Sequence, residues 1–386
     1  MNYMKKCSCA YCNGDIYKVD VNSFARVRRR GVSGILRVKN DAEFLAESID
    51  SCIDALDELI IVYNDCSDES PAIIKKKAEQ YGNKIHYYEY EPKIYANNLT
   101  ADEFNFIKSQ PQDSPHLLSN YYNFALSKVN YEFVMKIDAD QIYLTNSLVE
   151  ICNAYRSDKK VFINPWKLFC FVFFYFNLIA YKKCGISILC CKKYFFRQYK
   201  RCLLNLINNY KISIYLSGYN VSWFEKKWYV PLGQLNEKTP NILCPYNGVT
   251  DHTIFRLTSE TYFTPAEIKE YAQLNSHKYS LIETLCGLPI AVPYGFIWIH
   301  LNGVRRHIYD YQISNWELYR NRYMSFGEFI KTKSKNIPYS EDAIIFPKQN
   351  RLLYSLLHDS SDSSGMNRHI EKYHMATEHS SFYLKK

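Results

Sequence analysis

Between Lys159 and Phe224 the sequence has no acidic residue, although the same window carries eleven Lys or Arg. The whole chain holds 48 Lys+Arg against 39 Asp+Glu, a formal charge of +9, so this window alone carries +11 and the remainder nets −2. A uniformly basic nucleic-acid binder is excluded by that distribution, and one surface facing an anionic partner is expected instead. Also missing is an apolar h-region behind the charged opening MNYMKKCSCAYCNG, so no signal peptide is expected. The 13 Cys are odd in number and scattered, as reduced cytosolic thiols are. No apolar run reaches the roughly 20 residues of a spanning helix, and no internal repeat is present.

What is present is aromatic: 35 Tyr and 22 Phe, which suit strands, sugar-binding faces and membrane interfaces alike. Cys7, Cys9 and Cys12 form a CxCxxC cluster. It could hold zinc if a fourth ligand comes from elsewhere, and otherwise it belongs to a flexible terminus. Residues 1–30 read as a leader ending in the basic run Arg26 to Arg30.

From Gly34 the texture changes. GILRV is a strand signal, and Phe44, Leu45, Ile49, Cys52, Ile53 and Leu56 recur at helical spacing. ELIIVYND reads as a buried strand, Ser70 to Tyr81 as a helix with Pro71 in its first turn, and KIHYYEY as another strand. Asn120 to Val129 looks helical, and YEFVMKIDAD is a fourth strand. This alternation predicts an α/β fold with a mostly parallel sheet flanked by helices. Such sheets bind ligands beyond the carboxyl ends of their strands. Three of these ends are polar: Arg37 to Asp41, Asn64 to Asp68, and Asp138-Ala139-Asp140.

Asp138 and Asp140 sit two apart, so strand alternation can turn both carboxylates to one side. Two hard oxygen donors there suit Mg²⁺ or Mn²⁺ shared with substrate phosphates. The alternative is a solvated turn.

RVKNDAEFL, YNDCSDES, the SNYYNFAL helix and KIDADQIYL follow the order of motifs in bacterial GT-A (Rossmann-like) glycosyltransferases. The sequence most resembles the β-1,4-N-acetylgalactosaminyltransferases of lipooligosaccharide outer-core synthesis, well over Ser33 to Leu148 and loosely over Asp251 to His307. The resemblance implies an inverting, metal-dependent transfer from a UDP-sugar, with N-acetylgalactosamine or another hexosamine as best guess, to a lipooligosaccharide or other lipid-linked glycan. It implies that Arg37 and Asn40 line the nucleotide pocket and that Asp65 bonds the uracil edge. Asp138 would approach ribose or metal, Asp140 would bind the metal, and His300 would complete the metal site. Glu283, placed on an expected helix over KYSLIETLC that ends at a Gly-Leu-Pro break, and Asp251 are the two candidate bases. NDCSD departs from the commoner DDGSTD pattern. Alternatives are a sugar-nucleotide nucleotidyltransferase, against which the lack of a Gly-rich loop after the first strand argues, and a noncatalytic nucleotide-sugar-binding membrane protein.

The resemblance divides the chain into a nucleotide-sugar half at 31–160, a basic, aromatic insertion at 161–230, an acceptor half at 231–330 and a polar tail at 331–386. Within the insertion, Leu168 to Tyr181 is followed by Lys182 and Lys183 and by basic residues interleaved with rings. This is the pattern of a segment lying on an anionic membrane surface, here assigned to 161–211. The expected location is the cytoplasmic face of the bacterial inner membrane, with no nucleic-acid partner.

Overall fold

The computed structural model describes residues 7–185, 187, 189–232, 245–248, 252–273, 276–288, 290–305, 320–338, 348–361 and 365–370. In chain order the elements begin with α1 (Ala10–Asn13), β1 (Arg29–Val38), α2 (Leu45–Cys52), β2 (Glu58–Tyr63) and α3 (Ser70–Tyr81). There follow β3 (Ile85–Glu89), α4 (Ala101–Lys108), α5 (Leu118–Ser127), β4 (Tyr131–Ile137), β5 (Gln141–Tyr143) and α6 (Thr145–Arg156). Next come α7 (Pro165–Cys184), α8 (Lys192–Tyr210), β6 (Ile214–Asn220), β7 (Ser222–Phe224), β8 (Lys227–Pro231) and β9 (Tyr246–Asn247). The remaining strands are β10 (Thr253–Arg256), β11 (Phe263–Gln273), β12 (Ser276–Leu285), β13 (Val292–His300) and β14 (Tyr323–Ser325). They divide into two compact units. The first comprises Met1–Ala139, Ile212–Ile214 and Thr253–Val292, and the second Asp140–Lys211, Tyr215–His252 and Pro293–Lys386.

In the first unit β3, β2, β1 and β4 lie side by side and parallel, with β10 antiparallel on β4. This is the expected α/β arrangement, and it follows from apolar strands such as Glu58–Tyr63, whose first five residues are all buried. The strand beginning matters too. Buried Glu58 accepts from Ser33 Oγ at 2.6 Å and from the Asn130 backbone N–H at 2.6 Å, tying the starts of β1, β2 and β4 together. Helix α5 is buried from Leu118 to Leu126. Its Asn123 donates to the Phe263 carbonyl at 2.9 Å and accepts from the Phe263 N–H at 2.8 Å, which fixes β11 beside it.

Two expectations change here. The segment expected as a leader is built into the unit: Tyr17 and Phe24 are buried, and β1 starts inside the arginine run at Arg29. The helix expected over KYSLIETL is strand β12, paired antiparallel with β11. A strand of this kind draws its stability from a partner distant in sequence, which local periodicity does not register.

In the second unit β13 pairs antiparallel with β5, and β6 pairs antiparallel with β9. β6 and β13 are neighbours, and Gly218 leaves room where a Cβ would run into the Trp298 indole. The basic insertion is a pair of helices. Asn164 caps α7 by accepting from the Trp166 N–H at 2.9 Å, Pro165 occupies the first turn, and Gly185 ends the helix with φ 71°. Phe174 packs on Phe196 and Tyr199 of α8, with ring centroids 5.1 and 4.9 Å apart. The segment expected as a polar tail adds a helix, Lys348–Ser360, that buries Leu353, Tyr354, Leu356 and Leu357 and packs on α7 and α8.

Candidate active site

In the first unit the polar residues gather at the carboxyl ends of β1 and β2. Asn40 and Asp65 both take left-handed backbone angles, φ 55° and 48°, a conformation short polar side chains tolerate best among non-glycine residues. Asn40 Oδ1 accepts from the Ser67 N–H at 2.7 Å, and Asp68 accepts from the Ala42 and Ser70 N–H groups, each at 3.0 Å. Burial pushes the Asp68 carboxyl up, but these backbone donors outweigh it and hold it below its ordinary range. Exposed Asp65 pairs with Lys39 at 3.0 Å through Oδ2. The two loops are thereby laced into one rim.

One step into the sheet lies a charged cluster. Ile35 of β1 sits opposite Lys136 of β4, so alternation places Arg37 and Lys136 on the same face. Tyr122 of α5 lies over both: Arg37 Nε donates to its hydroxyl at 3.1 Å, and Lys136 Nζ is 5.0 Å from its ring centroid. Lys136 Nζ also donates to Glu283 Oε1 of β12 at 2.9 Å, with both side chains nearly sealed from water. Burial pushes the Tyr122 hydroxyl up to about 12 against the opposing pull of Arg37 and Lys136. Burial would depress Arg37, but the surrounding acidic groups of Tyr122, Glu283, Tyr121 and Asp138 reverse this and raise it. Asp138 follows β4, two residues beyond Lys136, and its carbonyl accepts from Ser48 Oγ at 2.9 Å. Tyr122 and Lys136 were not among the residues picked from the sequence; the two-residue offset from Asp138 was the available signal for Lys136.

The second unit begins at Asp140. β13 brings His300 opposite Gln141, and the Asp140 carbonyl accepts from the Leu301 N–H at 2.8 Å. The Asp140 carboxylate is almost buried. Its Oδ1 lies 3.3 Å from His300 Nε2, and its Oδ2 accepts from Arg305 Nη2 at 2.9 Å and Nε at 3.2 Å. The far side of the His300 ring decides its tautomer. Asn220 Nδ2 donates to the Tyr246 carbonyl at 3.3 Å, so Asn220 Oδ1 faces His300 Nδ1, at 2.6 Å, as an acceptor. Nδ1 therefore carries the proton, and in a neutral ring Nε2 turns its lone pair toward a carboxylate oxygen. Beneath them buried Gln141 accepts from Tyr143 and reaches Asn247 and His252. Arg305 escaped the sequence reading because nothing local marks it. Asp251 lies outside the described residues.

A family model described as beta-1,4-N-acetylgalactosaminyltransferase (CgtA) matches residues 20–225, just over half of the chain. The match takes in Arg37, Asn40, Asp65, Asp138 and Asp140, and stops before Glu283 and His300. No curated protein matches. Among solved structures, S. aureus TarS 1-349 is similar at 18% identity and a TM-score of 0.22, over 32% of each chain. Glucosyl-3-phosphoglycerate synthase from Mycobacterium tuberculosis, in complex with Mn²⁺, uridine diphosphate and phosphoglyceric acid, is similar at 16% identity and a TM-score of 0.20. That likeness covers 33% of this chain and 42% of the other. This chain thus spans less than half the length of the solved structures it matches.

Proposed function

Because the chain belongs to the beta-1,4-N-acetylgalactosaminyltransferase (CgtA) family, we propose that it is an inverting glycosyltransferase moving a sugar from a UDP-sugar to a lipid-linked glycan. N-acetylgalactosamine or another hexosamine is the favoured donor sugar, and lipooligosaccharide the favoured acceptor. The observation that carries the reading is the Asp140–His300 pair: a carboxylate oxygen and, in the neutral ring, an imidazole lone pair face each other at 3.3 Å. Two acceptors in that relation fit a divalent cation between them. Asp140 and His300, with Asp138 two residues earlier in the chain, would hold Mn²⁺ or Mg²⁺. When bound, such an ion neutralises charge on the diphosphate leaving group.

The chain's own residues supply the rest. Arg37 and Asn40 line the nucleotide pocket, and Asp65 takes the uracil edge while Lys39 engages its Oδ2. Arg305 presents a guanidinium that can turn from Asp140 to phosphate oxygens. Glu283 accepts the proton of the attacking hydroxyl through Oε2, since Oε1 is held by Lys136; Asp251 is the competing base. Attack from the face opposite the leaving group inverts the anomeric centre.

The insertion fits a lipid-linked acceptor. Among the described residues no helix is long and apolar enough to cross a membrane. Yet Trp166, Phe169, Val172 and Phe176 recur every three or four residues along α7 and are all exposed, as Phe162 is just before it. Rings on one side and an acid-free basic segment around them suit the headgroup layer of an anionic membrane. We therefore place the enzyme peripherally on the cytoplasmic face of the inner membrane.

The deciding experiment is UDP release across a panel of UDP-sugars with Mn²⁺, comparing wild type with Asp140→Ala. Metal-dependent turnover of one donor, lost in the variant, supports the reading. No turnover of any donor, with UDP bound equally by both proteins, overturns it.

A further inference from the structure

The CxCxxC cluster has acquired a fourth member. Cys7, Cys9, Cys12 and His116 each offer one ligand atom, and the four atoms all lie within 4.8 Å of one another. A tetrahedral zinc with Zn–S bonds of about 2.3 Å sets its sulfurs about 3.8 Å apart, so the cluster needs only a small contraction to close around an ion. We propose that Cys7, Cys9, Cys12 and His116 form a structural Zn²⁺ site. The three cysteines precede residue 20, where the family match begins, and the site is independent of the proposed transferase chemistry.

Three features show a built site and not a chance gathering. The first is the turn: the N–H groups of Cys12 and Asn13 both donate to the Cys9 carbonyl at 3.1 Å, folding Cys12 back toward Cys9. The second is the histidine. His116 is buried, and its Nδ1 lies 2.7 Å from the Lys93 carbonyl, which can only accept. Nδ1 therefore holds a proton, and in the neutral ring Nε2 directs its lone pair at Cys9 Sγ, 3.3 Å away, and Cys7 Sγ, 3.6 Å away. A carbonyl behind the ring is the usual support of a metal-bound imidazole. The third is the fourth corner: the Cys7 N–H donates to Gln110 Oε1 at 2.9 Å, anchoring that cysteine to the same region as His116.

The site answers a problem of packing. α1 is four residues long, has no side-chain cap and buries none of its residues. Such a turn has little stability of its own. A metal bridging it to His116, more than 100 positions along the chain, would hold it by coordination where burial does not. The ion takes all three sulfurs as thiolates, and the protons still on them before binding are released to solvent. Three sulfurs and one nitrogen in tetrahedral array select zinc over the hard ions suited to carboxylates.

The test is elemental analysis of the full chain purified without chelator. About one zinc per chain is expected, retained in Asp140→Asn/His300→Ala and lost in Cys9→Ser/Cys12→Ser. Cobalt exchange into the wild type gives a second readout that does not depend on the cysteine variant folding: d–d absorption of a tetrahedral thiolate site in the red. Wild type that holds no zinc and takes up no cobalt in this form overturns the proposal. So does zinc that persists without Cys9 and Cys12, zinc lost from Asp140→Asn/His300→Ala, or a disulfide found among the three cysteines of freshly prepared protein.

Discussion

Lys136 and Glu283 stand 147 positions apart in the chain, yet their charged atoms meet at 2.9 Å with 6% and 10% of their side-chain surfaces exposed. Removing one partner strands the other charge where water cannot reach it. Lys136→Met is expected to cost about 3–5 kcal/mol in urea unfolding. The double variant Lys136→Met/Glu283→Leu should recover much of that loss, because it leaves no charge behind. Equal stability of the single and double variants would contradict this account.

Glu283 has a second expected signature if it serves as base. Glu283→Gln keeps a hydrogen-bonding partner for Lys136 and should lower kcat on the order of 10²-fold with little change in KM for the UDP-sugar. A parallel rise in KM with unchanged kcat would make it a donor-binding residue instead.

His300→Ala should raise the Mn²⁺ concentration needed for half-maximal activity, on the order of 10-fold or more, while UDP binding without metal stays unchanged. Asn220→Leu, which removes the acceptor at Nδ1, is expected to move the same midpoint in the same direction by a smaller amount. A metal midpoint indifferent to both substitutions would remove His300 from the site.

Lys200 of α8 carries its ammonium over the Tyr294 ring, 4.2 Å from the centroid, and burial pushes it down to about 8, partly opposed by Glu150. The unfolded chain keeps this proton to near 10.4, so it binds more protons than the native state between those values and native stability rises with pH. Lys200→Met should raise Tm at pH 7, and its advantage over wild type should shrink from pH 8 to pH 10. A constant difference across that range would refute the assignment.

On the membrane, Trp166→Ser/Phe169→Ser/Phe176→Ser should leave thermal unfolding nearly unchanged, since these side chains are exposed, and should abolish sedimentation with phosphatidylglycerol vesicles. Wild type should sediment with those vesicles and not with neutral phosphatidylcholine. Binding to both, or to neither, would rule out the proposed surface.

Most strands and helices between Gly34 and Ile137 were legible because they carry their own period: α3 spans the same Ser70–Tyr81 that Pro71 and its flanks indicate, whereas α1 and α4 fall in stretches without such a signal. What the sequence concealed depends on partners far away. The Leu281, Ile282 and Leu285 spacing mimics a helix, and only pairing with β11 makes it a strand. Tyr122 and Arg305 gain their meaning from Arg37 and Asp140, which lie 85 and 165 positions distant. His116 could not be joined to the CxCxxC cluster by spacing, since no motif spans the gap of more than 100 residues between them. Polar strand ends, by contrast, announced themselves, because charged residues closing an apolar run have little to do except face a ligand or solvent.

Asn123 has one more effect. By both donating to and accepting from Phe263 it behaves as a neighbouring strand would, and counting along β11 and β12 starts from that clamp. Pro265 then meets Glu283, whereas one extra residue of β11 is taken up farther out, between Ile268 and Tyr271. The hairpin thus has a gauged end and a slack end. Relatives can lengthen or shorten it beyond Ile268 without turning Glu283 away from Lys136, but a single residue gained or lost between Phe263 and Pro265 would face it the opposite way.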